Sequence, residues 1–189
     1  MHGLLLRQLE LFLMESREIL AAWDAYSDEH TDPDGWPHDP LTYGRRTMRR
    51  DADTWRSFNR IRYAAREMLA TAEVQVQQLN PACVQTRWPW QLAELTTALS
   101  QLEKLQDEWL DRRDALTRTA ALPGVEEFDG TLAERNEEAW AALDTWSAQG
   151  HALIEIHALA LTAPSPILTS APRPALSPKG IGRKAGRRG

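Results

Sequence analysis

The side chains best suited to hold a metal or move a proton fall in two short stretches of the sequence. The first, Asp28–Pro40, reads DEHTDPDGWPHDP and brings together His30, Asp32, Asp34, His38 and Asp39. Imidazole nitrogen and carboxylate oxygen both ligate divalent ions. A site also needs a spacing that makes the ligands converge and outer groups that orient them, and neither is visible here. The same residue types, interleaved with Pro33, Gly35 and Pro37, are those of a solvated turn, which is the expected role.

The second stretch contains His151, Glu155 and His157. Positions 151 and 155 share a helical face and 157 is displaced from it, while no E-x-x-H occurs to supply the ligand geometry of a carboxylate di-iron bundle. Cys83 stands alone, which excludes an intramolecular disulfide and a multi-cysteine metal site. Its pairing with His151 or His157 as nucleophile and base is not indicated by any spacing. A glycine-rich phosphate loop, an H-E-x-x-H helix and a nucleophile elbow are all missing. No catalytic residue, cofactor-binding residue or metal ligand is therefore assigned.

Charge is the more distinctive signal. The chain carries 22 Lys and Arg against 27 Asp and Glu, a formal net of -5. The basic residues of Thr162–Gly189 have no acidic counterpart, which leaves a body of 16 basic and 27 acidic residues with a net of -11. A basic tail on an acidic body opposes general attraction of nucleic acid to the body. One segment departs from this trend. Arg45, Arg46, Arg49, Arg50, Arg56, Arg60, Arg62 and Arg66 crowd the stretch after Pro40, countered locally by Asp51, Asp53 and Glu67. A salt-bridged surface facing acidic neighbours is the expected use, with a phosphate-rich partner as the alternative.

The elements that must position these groups read as helices. Leu4–Ser27 carries an apolar stripe at Leu5, Leu9, Phe12, Ile19, Trp23 and Tyr26, with Ser16 as its weak position. Extra Leu4, Leu6, Leu11, Leu13 and Met14 make the start of this helix apolar on more than one side, a surface suited to several neighbours or to a second subunit. Asp39 followed by Pro40 fits a helix start. From there Leu41, Met48, Trp55, Phe58, Ala65, Leu69, Ala72, Val76 and Leu79 keep a helical rhythm to residue 79. Pro89–Ala121 has the clearest seam, at Leu92, Leu95, Leu99, Leu102, Trp109 and Leu116, interrupted by Gln106 and Arg113. Thr131 and Glu134 fit a capping box opening a fourth helix to Leu161. Its face includes Leu132, Ala139, Leu143, Trp146, Leu153 and His157 and is weakened by Asn136 and Gly150.

The eight Trp residues divide by position. Trp23, Trp55, Trp109, Trp140 and Trp146 fall within helices and are expected to fill space between them, whereas Trp36, Trp88 and Trp90 lie near connections and are the better candidates for partner contact. After Leu161 the sequence becomes rich in Pro, Gly and small residues, the composition of a flexible tail with one short apolar patch at Ile167 and Leu168.

These features predict an all-α protein. A predominantly antiparallel four-helix bundle occupies residues 1–161, followed by an irregular basic Pro/Gly-rich tail at 162–189. The corresponding function is a non-catalytic helical interaction or scaffold protein with a protein partner, self-association being suggested by Leu4–Met14. Candidate partner-binding residues are Trp36, Arg45, Arg46, Arg49, Arg50 and Arg56, together with Arg183, Lys184, Arg187 and Arg188 of the tail. The alternative is a nucleic-acid accessory protein that contacts phosphate through the basic helix face and the tail. A small-molecule or metal-dependent enzyme is the third reading. The early charges Arg7 and Glu10 break any leader-like run, and no apolar stretch reaches the roughly 18 residues of a membrane span, so the expectation is a cytoplasmic protein without a membrane partner.

Overall fold

The computed structural model describes residues 2–119 and 125–163. The fold is all-α, as expected, but it is not a four-helix bundle. The chain forms α1 (His2–His30), α2 (Pro40–Phe58), α3 (Arg62–Gln78), a short 3-10 turn (Pro81–Cys83), α4 (Trp88–Thr119), α5 (Val125–Gln149) and α6 (His151–Thr162). With α5 and α6 taken as two arms of one helix bent at Gly150, the described residues make five helices.

The additional helix comes from a break in the segment expected to run unbroken from Pro40 to Leu79. Asn59 still donates to the Trp55 carbonyl at 3.0 Å, but Arg60 donates to Ser57 at 3.2 Å and Ile61 to Phe58 at 2.9 Å, a tightening from four-residue to three-residue bonds. Phe58 and Ile61 on either side of the break are both fully buried. Glu15 of α1 clamps the corner, one carboxylate oxygen accepting from Ser57 Oγ at 2.6 Å and the other from Arg60 at 2.8 Å. The change of direction lets α2 lie on α1 and α5 while α3 lies on α4 and α6. One straight helix could not reach both sets of neighbours.

At the other bend the chain has room only for glycine. A Cβ on Gly150 would stand 2.7 Å from the Trp146 carbonyl and 2.9 Å from Leu13 Cδ2. The close approach of α1 to this bend therefore depends on the missing side chain. The expected capping box is not formed. The helix already begins at Val125, which places Thr131 inside it, and Glu134 faces Arg112 of α4 at 3.4 Å.

The core runs through all the arms. Leu9 and Phe12 of α1, Phe58 of α2, Leu95 and Leu102 of α4, Leu143 and Trp146 of α5 and Ile156 of α6 have no measurable exposure. Burying a side chain of this size contributes roughly 2 kcal/mol. The expected α2 stripe is only half right: Trp55 and Phe58 are buried, but Leu41 and Met48 point outward at 77% and 49% exposure. Trp88 is also corrected. It is 1% exposed, with its indole N–H donating to Glu155, and is a core residue, whereas Trp36 and Trp90 are exposed. No helix among the described residues is long and apolar enough to cross a membrane.

Candidate partner-binding groove

The metal-like loop between α1 and α2 is built as a turn. Asp32 Oδ1 accepts from the Asp34 N–H at 3.0 Å and the Trp36 N–H at 2.8 Å, and Gly35 takes a φ of +84°, a left-handed conformation suited to glycine. Asp39 caps α2, accepting from the backbone of Leu41 and Thr42 and from Thr42 Oγ1 at 2.6 Å. The Thr42 hydroxyl, then its backbone N–H, hold the Asp39 carboxyl below its ordinary range, with a further contribution from Arg45. His30 Nδ1 donates to the Tyr26 carbonyl at 2.9 Å and its ring stacks on Tyr26. Among the described residues, no group of three or more His, Cys, Asp or Glu is arranged to hold a metal.

The second polar group is divided among structural partners. His151 Nε2 lies 3.0 Å from Arg17, and His157 Nδ1 lies 3.0 Å from the Gln75 amide. Glu155 bridges Arg87 at 2.6 Å and the Trp88 indole at 3.0 Å. Burial opposes its charge, but the Trp88 and Arg87 hydrogen bonds outweigh burial and lower its pKa. Cys83 is exposed in the turn before α4.

What the fold brings together is an aromatic and arginine-lined groove between α1 and α2. Ile19, Ala22, Trp23 and Tyr26 follow i, i+3, i+4, i+7 spacing on α1, and Arg46, Arg49, Arg50 and Asp53 repeat that spacing on α2. The two faces enclose about 240 Å³. Tyr43 buttresses the aromatic wall, its ring 5.0 Å from that of Trp23 and its hydroxyl 2.9 Å from Ser27 Oγ.

The arginines of the sequence expectation play unequal parts here. Arg50 is spent on the structure. Its guanidinium lies 3.6 Å from the Trp140 ring centroid and 4.6 Å from that of Trp23, and it donates twice to Asp51 Oδ1. Asp51 is 2% exposed; burial pushes its pKa up, against the hydrogen bonds and charge of Arg50, and nearby Glu137 pushes the same way. Arg49 and Arg56 are exposed and share Asp53, at 3.6 and 2.6 Å. Arg46 is exposed, lies 5.1 Å from the Tyr26 ring centroid and makes no ion pair with a described residue. Arg45 is exposed beside the Asp39 cap. Arg60 and Arg66 pair across the fold with Glu15 and Glu103. Arg183, Lys184, Arg187 and Arg188 lie outside the described residues.

A second arginine site was not legible in the sequence. Arg135 of α5 is 6% exposed, with its guanidinium 4.1 Å from the Trp55 ring centroid and 5.0 Å from that of Trp109. It donates to Gln106 at 3.0 Å and to Asn136 at 2.6 Å. Burial, then the charge of Arg62, lower its pKa to about 10. The polar interruptions at Gln106 and Asn136 were visible in the sequence, but their meeting across α4 and α5 was not. Compared with known proteins, the chain matches no protein-family model, no curated protein and no solved structure.

Proposed function

We propose that this chain is a non-catalytic helical interaction protein whose α1–α2 groove receives an acidic partner segment carrying an aromatic side chain. The observation that supports this reading is the position of Arg46 and Arg49 at the mouth of an apolar groove walled by Trp23 and Tyr26. Arginine over aromatic rings offers a carboxylate a planar donor and offers an aromatic side chain a face to stack on. Much of the rest of the basic segment is engaged by Asp51, Asp53, Glu15 and Glu103, so it presents no continuous track for phosphates. This weighs for a protein partner over a nucleic acid. The body, residues 1–161, is the interaction domain in this reading, and the basic segment 162–189 is a second attachment point. Leu4 and Met14, 64% and 48% exposed, add an apolar surface for assembly.

Panning a random peptide library on the full chain and on the double variant Arg46→Glu/Arg49→Glu tests the proposal. Acidic peptides with an aromatic residue are expected on the former and lost on the latter. Enrichment indifferent to the charge reversal, or enrichment of basic peptides, would overturn it.

A further inference from the structure

Beside the groove, the same helical hairpin carries a rigid projection of matching chemistry. The connection from α1 to α2 is held by Asp32 N–H donating to the Trp36 carbonyl at 2.9 Å, by Gly35 N–H donating to Asp32 at 2.9 Å and by His38 N–H donating to His30 at 2.9 Å. A bridge between Thr31 and Pro37 closes its base. The Asp32 side chain is turned inward onto backbone donors, while Asp28, Glu29 and Asp34 face solvent. At the tip Trp36 stands 72% exposed. A large indole carried into water on an ordered turn buries little of its apolar surface in the single chain. It is already placed for an interface, where Trp, Tyr and Arg dominate binding energy and preorganisation lowers the cost of association.

We propose that the occupant of the groove is the Asp28–Trp36 segment of a second copy of this chain, with Trp36 entering between Trp23, Tyr26 and Arg46 and the exposed carboxylates of Asp28 and Glu29, on the last turn of α1, and of Asp34, on the loop, meeting Arg46 and Arg49. The inference rests on the functional reading of the groove given above and names its partner. Each chain carries one groove and one loop, so a two-fold axis satisfies both at once, each loop lying on the other's groove. The rim remains net basic, with Arg46 and Arg49 against Asp53, and its complementarity to the acidic segment favours this pairing and disfavours the parallel alignment of two such rims. Trp36 thereby acquires the cover it lacks in the single chain.

Sedimentation equilibrium of the full chain over a concentration series tests the pairing. The mass is expected to rise from the 21.4 kDa monomer to the dimer. Trp36→Ala and Arg46→Glu/Arg49→Glu should each raise the dissociation constant by more than about thirtyfold, because the loss typical of one central interface residue is incurred at both contacts of the pair. Both sets of side chains are exposed, and unchanged far-ultraviolet circular dichroism verifies that each variant folds. A monomer at every concentration, or an association that either variant leaves unmoved, overturns the inference. If the chain is monomeric but still enriches acidic aromatic peptides in the panning experiment, this inference falls and the functional reading stands. If that enrichment also fails, both fall.

Discussion

The α1–α2 groove and the Arg135 site use the same chemistry, an arginine guanidinium against aromatic rings, to different ends. In the groove, Arg46 and Arg49 keep their charged heads in water and Arg46 lies over the edge of an open aromatic wall. Inside the fold, Arg135 is enclosed by Trp55, Trp109, Gln106 and Asn136, and its donors are already engaged by neutral amides. The contrast shows that residue type alone does not make a binding site. What matters is whether the donor face is open to a newcomer. Arg50 stands between the two cases. It lines the groove, yet its donors are committed to Asp51 and its plane to Trp140 and Trp23.

The largest effect that would break this comparison is expected at Arg50. Arg50→Ala leaves the Asp51 carboxylate, 2% exposed, without its cation and should cost about 3 kcal/mol in urea unfolding, moderated by protonation of Asp51. A stability change below about 1 kcal/mol would move Arg50 into the available group. Arg135→Ala should cost about 2 kcal/mol by leaving the Gln106 and Asn136 oxygens unpaired in the interior, with no effect on peptide capture by the groove. Gly150→Ala is expected to cost about 2 kcal/mol, because its Cβ meets a backbone carbonyl that cannot yield cheaply. Arg46→Ala and Arg49→Ala, in contrast, should change stability by less than about 0.5 kcal/mol while reducing peptide capture.

The smallest expected effect concerns pH. Glu155 has a folded pKa below its ordinary 4.5, so the unfolded chain binds its proton first as pH falls. Its contribution is present above that value and is lost as pH drops through the folded pKa. Glu155→Gln should therefore flatten the acid side of the stability profile, as measured by urea midpoints below about pH 5. Unchanged steepness in the variant would assign the acid sensitivity to other carboxylates.

Much of this was legible from one-dimensional spacing, and the failures have physical reasons. The all-helical class, the Asp39 cap and the α4 seam follow from local rules that need no partner. The break at Asn59–Ile61 does not, because the segment contains no Gly or Pro there. It accompanies the clamp by Glu15, 45 residues before Arg60 in sequence, and the burial of both Phe58 and Ile61, neither of which local spacing can show. The Thr131–Glu134 capping box was a correct pattern in the wrong place, since the chain is helical before it. At the candidate site, the basic run on α2 was visible, but its division into spent and available arginines depends on α1 and α5. The aromatic wall was hidden among residues that read as core, and Trp36, a candidate for partner contact from its place near a connection, could not be set beside the groove without the fold.

The central claim is that the α1–α2 groove is occupied by an acidic segment. Replacing Ala22, an exposed groove-lining residue, with a photo-crosslinking amino acid in the full chain tests this directly, with the adducts read by mass spectrometry. The account predicts adducts concentrated in acidic segments containing an aromatic residue, Asp28–Trp36 of a second copy foremost, and their disappearance in Arg46→Glu/Arg49→Glu. Adducts spread without regard to charge, or undiminished by the reversal, would contradict it.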